Sequence, residues 1–233
     1  MNAEAAPLVE RLGLTKDAPG IIVGPAPCVC YSGDVSGVKV HLIQNGTCDK
    51  HGVDLVGTVP AALVAYLALQ SLRPQVLLST GTAGGFAGRG AKIGSIFLSS
   101  QTVNHDRRIP LPGFSTYGVG ALLSLPCPRL AAALGFGVGV VTSGNSLDYH
   151  DRDMESMLHH GAVVKEMEAA GAAWSAALFK TPFLCLKSVT DIVDGTRPAQ
   201  EEFMENLGIA SEALREAVPR VLEFMAGKKY SEL

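Results

Sequence analysis

Apolar positions along the chain switch repeatedly between a helical period and short extended runs. Leu8, Val9 and Leu12 recur at helical spacing, which predicts a helix over residues 3–13 that Gly13 can stop. Two extended runs follow, Cys28 to Tyr31 and Val38 to Ile43, with Gly33, Asp34 and Gly37 as turn residues between them. Val59, Leu63, Tyr66 and Leu67 mark a long helix over about 54–72, which Arg73-Pro74 ends. Val76 to Thr80 is a short apolar strand that runs into Gly81-Thr82-Ala83-Gly84-Gly85. Further strands are expected at Ile93 to Ser99, Gly135 to Thr142 and Phe183 to Thr190. Helices are expected over Val163 to Ala177 and residues 199–225.

Strands alternate with helices and are apolar on both faces. That pattern predicts an α/β fold, a mixed central β-sheet flanked by helices on both sides. No repeat, low-complexity tract or linker divides residues 1–233, so a single domain is expected. Ligands of such folds sit beyond the carboxyl ends of strands. Here those ends carry Thr80 to Gly85, Ser143 to Asp148 and Thr190 to Asp194.

Composition narrows the field. With 19 Lys+Arg against 22 Asp+Glu and a net charge of −3, the chain has no electrostatic footprint for nucleic acid or an anionic membrane. Its 18% charged and 47% hydrophobic residues exclude a disordered chain. No apolar run approaches a bilayer span, and the start lacks the pattern of a signal peptide. The five cysteines are an odd number with no CxxC pair, so reduced thiols, a cytoplasmic location and no structural zinc are expected.

Three segments concentrate polar chemistry. The glycines of Ser79 to Gly85 let backbone N–H groups approach a ligand, or simply form a turn. Glu166-Met167-Glu168 precedes a nearly uncharged helix. Its acids suit a helix start, but a carboxylate there also matches a ribose diol. Asp191 closes an apolar strand, either as a turn cap or as a partly buried carboxyl that holds its proton near neutral pH.

Together these segments resemble the nucleoside phosphorylase and nucleosidase superfamily, and within it the plant-type 5′-methylthioadenosine/S-adenosylhomocysteine nucleosidases. Val56-Gly57-Thr58-Val59-Pro60, His105 to Pro110 and the tail near Ser231-Glu232-Leu233 extend the likeness over essentially the whole chain. The resemblance implies hydrolysis of the N-glycosidic bond of methylthioadenosine in methionine salvage. In that reading Asp191 is the general acid that protonates purine N7, and Thr190 orients it. Glu168 holds the ribose hydroxyls, Met167 packs on the sugar, and Glu4 activates the attacking water. Lys187 lies near that water, Thr82 and Ala83 line the ribose and base, Leu147 covers the adenine, and Phe203 caps it. The family further implies a small nucleoside substrate, no metal or organic cofactor, and a homodimer. A loop near Pro112 to Tyr117 would reach the neighbouring subunit. His105-Asp106 is expected to be structural, and Arg107-Arg108 to hold a loop or interface.

Leu78-Ser79-Thr80-Gly81 lacks the arginine that hexameric phosphorylases place there for phosphate, and Glu4 would repel an anion. Both features favour water over phosphate as nucleophile. The rival readings are a purine nucleoside phosphorylase and a nucleoside-binding or storage protein, which would need none of Glu4, Glu168 and Asp191. Two departures from the family pattern stand out. Asn145 replaces a usual Asp, which is expected to weaken a local polar network. Relatives also carry an apolar strand directly before the residues matching Met1 to Glu4. The sheet is therefore expected to lack its first strand, with Glu4 on a free terminus.

Overall fold

The structure, a computed structural model, describes all residues from Met1 to Leu233. In chain order it contains α1 (Asn2–Leu12), β1 (Thr15–Lys16), β2 (Val29–Val35), β3 (Val38–Gln44) and α2 (Thr58–Leu72). Next come β4 (Leu77–Gly85), β5 (Ile96–Asn104), α3 (Phe114–Val119), β6 (Leu122–Leu123), α4 (Pro128–Leu134) and β7 (Gly137–Ser143). The chain continues with α5 (Asp151–His159), β8 (Ala162–Glu166), α6 (Ala169–Phe179), β9 (Phe183–Ile192) and α7 (Ala199–Met225).

β1, β2 and β3 form a small antiparallel sheet. The other strands form a six-stranded mixed sheet in the order β6-β5-β7-β8-β4-β9. An added pairing of β5 with β9, at Ile96 to Leu98, closes that sheet on itself. β9 is the hub: Phe183 through Asp191 are all buried between neighbours on both edges. A strand buried on both faces needs a continuous apolar run, and Phe183-Leu184-Cys185-Leu186 supplies it.

Helices cover both faces. Ala65 and Leu69 of α2 join Ala169, Ala172, Ala173 and Ala176 of α6 in one core cluster. The Ala-rich α6 lets α2 approach closely; a Cβ at Gly171 would lie 2.3 Å from the Thr58 carbonyl oxygen. Leu8 of α1, Leu130 of α4, and Leu214 and Val221 of α7 form a second cluster with Leu98, Leu184 and Leu186.

Several boundaries differ from the sequence reading. The helix expected from Val163 is first a strand, Ala162–Glu166, and only then a helix from Ala169. Five residues are too few to display a period, and the β-branched Val164 finds ladder partners on β7 and β4, Val141 and Gly85. The Gly-rich tail after Thr80 stays in β4 through Gly85, and α2 begins only at Thr58. The helices α3, α4 and α5 are too short for their apolar spacing to register in sequence.

β3 pairs with β2 on one edge, and its other edge is unpaired. β4 pairs with β9 throughout but meets β8 only at Gly84 and Gly85. These two open edges face a cavity of 1310 Å³, lined by residues 37–45, residues 72–84, α1, α2 and α7. β3 and β4 belong to different sheets and are not paired with each other.

Candidate active site

The carboxyl ends of β4 and β9, which run parallel, meet the carboxyl half of β8, which pairs antiparallel with β4 only at Gly84 and Gly85. The cavity between β3 and β4 opens into this convergence. Every candidate site residue named from the sequence lines it: Glu4, Thr82, Ala83, Leu147, Met167, Glu168, Lys187, Thr190, Asp191 and Phe203.

Asp191 is buried at the end of β9. The Thr190 hydroxyl lies 2.7 Å from its Oδ1 and 3.2 Å from the Ala83 carbonyl. Gly84 makes this placement possible, since a Cβ there would stand 2.6 Å from Asp191 Oδ2. Burial raises the Asp191 carboxyl above its ordinary range, against the Thr190 hydrogen bond and the Lys165 charge, which pull it down. α7 braces this strand end. Glu202 accepts the Ile192 N–H at 2.9 Å, and Asn206 donates to the Thr190 carbonyl at 3.0 Å.

The two glutamates of Glu166-Met167-Glu168 part company. Glu166 is fully buried and structural. It pairs with Lys187 at 2.9 Å, accepts the Ser143 hydroxyl, and takes the backbone N–H groups of Glu168 and Ala169 at the start of α6. Burial raises its carboxyl, but Lys187 and these donors bring it below the usual range. Glu168 faces the cavity and accepts the Gly57 N–H at 2.9 Å. Burial first, and then the neighbouring Glu166 charge, raise it.

Glu4 projects from the first turn of α1 to the end of β4. Its Oε1 accepts both the backbone N–H and the hydroxyl of Thr82, each at 2.7 Å, and its Oε2 pairs with the Met1 ammonium. Burial raises its carboxyl, while the ammonium and Thr82 outweigh that and hold it below the ordinary range. Lys187 is close by: a Cβ on Gly81 would lie 3.2 Å from Glu4 Oε1 and 3.3 Å from Lys187 Nζ. Both cations beside Glu4 are thus already paired, the ammonium with Glu4 and Lys187 with Glu166.

The remaining lining residues are hydrophobic. Leu147 is 42% exposed on its loop, and Met167 and Phe203 are half-buried. His105 forms no triad. It is buried with Nδ1 unpartnered, while Asp106 accepts the Asn145 N–H at 2.7 Å. Asn145 also accepts from the N–H and hydroxyl of Thr58, at 3.0 and 2.9 Å, so its network is complete at the start of α2. Arg107 donates to the Tyr117 and Gly118 carbonyls, and Arg108 pairs with Asp153, which holds the loop.

Among known proteins, residues 1–223 match the model of the phosphorylase superfamily. The chain belongs to this superfamily. Over all 233 residues it is 39% identical to a 5′-methylthioadenosine nucleosidase of Arabidopsis thaliana, covering 87% of that protein. It is also 39% identical to an Arabidopsis 5′-methylthioadenosine/S-adenosylhomocysteine nucleosidase, covering 92% of it. The solved apo structure of the Arabidopsis 5′-methylthioadenosine nucleosidase superposes with a TM-score of 0.97 at 39% identity. The match covers 100% of this chain and 96% of that one.

In this superfamily member, sequence reasoning missed Lys165. It is buried on β8 and donates to the carbonyls of Ser146 and Leu147, at 3.0 and 2.7 Å. A lysine inside a buried strand, two residues after Val163, is the signal that could have found it. It fixes the loop carrying Leu147 and also acts on Asp191. Replacing Lys165 with Met should raise KM at least about tenfold, as expected for losing both charge-assisted bonds to that loop. The cation now pulls the Asp191 carboxyl down. Its loss should move the alkaline limb of the pH–rate profile upward, which initial rates across pH would record.

Proposed function

We propose that this protein hydrolyses the N-glycosidic bond of 5′-methylthioadenosine, releasing adenine and 5-methylthioribose. The observation that carries the reading is one cavity holding two buried carboxyls shifted in opposite directions, Asp191 raised by burial and Glu4 held down by the Met1 ammonium and Thr82. Asp191 gives its proton to purine N7 as the C1′–N9 bond breaks and its electron pair passes to the base. Glu168 receives hydrogen bonds from the ribose hydroxyls, and its charge favours the oxocarbenium-like sugar. Glu4 takes the proton of the water whose oxygen adds to C1′. Thr190 orients Asp191. Thr82 orients Glu4 and, with Ala83, lines the sugar and base. Met167, Leu147 and Phe203 provide the apolar walls, and Lys187 holds Glu166 beside the water. Acid, base and water complete the reaction without a cofactor.

Water is favoured over phosphate because Lys187, the cationic side chain beside Glu4, is already paired with Glu166. The deciding experiment is adenine release in phosphate-free buffer, with the sugar product identified. Release that depends on phosphate, or a ribose 1-phosphate product, overturns hydrolysis; binding without release favours the storage reading. Assays run side by side on methylthioadenosine and S-adenosylhomocysteine give the length of the tolerated alkylthio arm. Glu4→Gln should lower kcat by about a hundred-fold or more, the range for losing a general base. Unchanged turnover in Glu4→Gln would remove Glu4 from the mechanism.

The reading includes a homodimer. Val59, Leu63 and Tyr66 of α2 and Trp174 and Leu178 of α6 form an exposed apolar face where the two helices pack together. Patches of this kind mark protein interfaces. Sedimentation should give twice the chain mass, and the double variant Leu63→Glu, Trp174→Glu should sediment as a monomer. A monomeric parent chain refutes the dimer. Methionine salvage in the cytoplasm fits this activity, and no helix is long and apolar enough to cross a membrane.

A further inference from the structure

Away from the active site, one face of the small sheet gathers three side chains that can ligate a metal. Asp17 directly follows β1, Cys30 lies on β2, and His41 lies on β3. Strand register brings them together. Lys16 pairs with Tyr31, so Asp17 comes level with Cys30, and its N–H donates to the Cys30 carbonyl at 2.9 Å. Ser32 pairs with His41, and Cys30 and Ser32, two apart on β2, point to the same face. The carboxylate oxygen, the sulfur and the ring nitrogen of Asp17, Cys30 and His41 all lie within 4.8 Å of one another, and no other His, Cys, Asp or Glu group in the chain does this. The Ser32 hydroxyl sits among them, 2.5 Å from Asp17 Oδ2 and 2.6 Å from His41 Nδ1.

We propose that Asp17, Cys30 and His41 bind a zinc ion, with water as the fourth ligand. A set of one thiolate, one imidazole and one carboxylate suits zinc, whereas magnesium and calcium take oxygen ligands alone. Zinc bonds of about 2.0–2.3 Å would set the three ligand atoms roughly 3–4 Å apart, a spacing compatible with atoms that all lie within 4.8 Å of one another. Ser32 then becomes a supporting contact that orients Asp17 and His41. Asp17 lies just past β1, Cys30 on β2 and His41 on β3, so the ion ties the end of β1 to β2 and β3 at the sheet that borders the open edge of β3. Sequence spacing carries no zinc signature because the ligands meet only through cross-strand register.

The test uses the full chain, stripped with a chelator and titrated with zinc against a chromophoric competitor. Binding of one equivalent is expected, with a rise in Tm of about 5–10 °C at saturating metal. Cobalt in place of zinc should give the near-ultraviolet charge-transfer band of a thiolate ligand on the unsubstituted chain, a readout that needs no variant. Cys30→Ser and His41→Gln should each weaken binding more than about a hundred-fold, beyond the loss expected from a supporting contact alone. Cys48→Ser should bind as the parent does. Absence of the thiolate band, or equal affinity in Cys30→Ser and the parent, overturns the proposal.

Discussion

Asp191→Asn lowers kcat for adenine release by about 10²–10⁴-fold, the range for removing a general acid, and leaves binding of a nucleoside analogue nearly unchanged. The split follows from geometry. Asn keeps an oxygen to accept from Thr190, and it fits beside Gly84 as Asp does. What it lacks is the proton for N7. Burial raises the Asp191 carboxyl, so the acid form extends above the ordinary carboxylate range. Activity of the parent should fall as pH rises through that raised value, and the residual activity of Asp191→Asn should lack this limb. Stability of the parent falls in the same direction. The contribution of a carboxyl raised on folding is complete below its unfolded pKa and is lost as pH rises through the folded one. At neutral and alkaline pH, Asp191→Asn should therefore melt no lower than the parent. Unchanged turnover, or a variant that loses binding along with turnover, refutes the general-acid role.

The sequence revealed more of the site than of the scaffold around it. Asp191 and Glu168 were legible because a carboxyl after an apolar strand, or before an uncharged helix, conflicts with its surroundings. Glu4, Leu147 and Phe203 were named only through resemblance; nothing in their local pattern sets them apart. Glu166 and Lys187 show where local reading stops. Adjacent to Glu168 and central to β9, they form a buried pair whose existence depends on β8 and β9 both reaching the cavity. The closure of the sheet through β5 and β9 depends on a long-range contact with no local pattern. The same holds for the Asp17, Cys30 and His41 cluster, which register alone assembles.

An extension upstream of Met1 that reads as an apolar strand should raise both Tm and turnover. Two open edges, Val38–Gln44 of β3 and residues 77–83 of β4, flank a cavity whose lining is largely hydrophobic. A strand placed there gains ladder bonds on both sides and buries its alternate side chains, each worth about 1.5–3 kcal/mol before ordering costs. A net gain of about 3–4 kcal/mol should move Tm by about 10 °C in a chain of this size. The catalytic gain has a separate cause. Met1 would become an internal residue, so its ammonium would no longer pair with Glu4, and the start of α1 would be pinned. A base freed from an ion pair and held in register should raise kcat/KM about tenfold or more, given how steeply rate falls with misplacement of a reacting group. An extension of equal length made of glycine and serine separates the causes. It also removes the ammonium, but it has no side chains to fill the slot and should leave Tm near that of the parent. If the two extensions behave alike in Tm, the space between β3 and β4 is not a strand site.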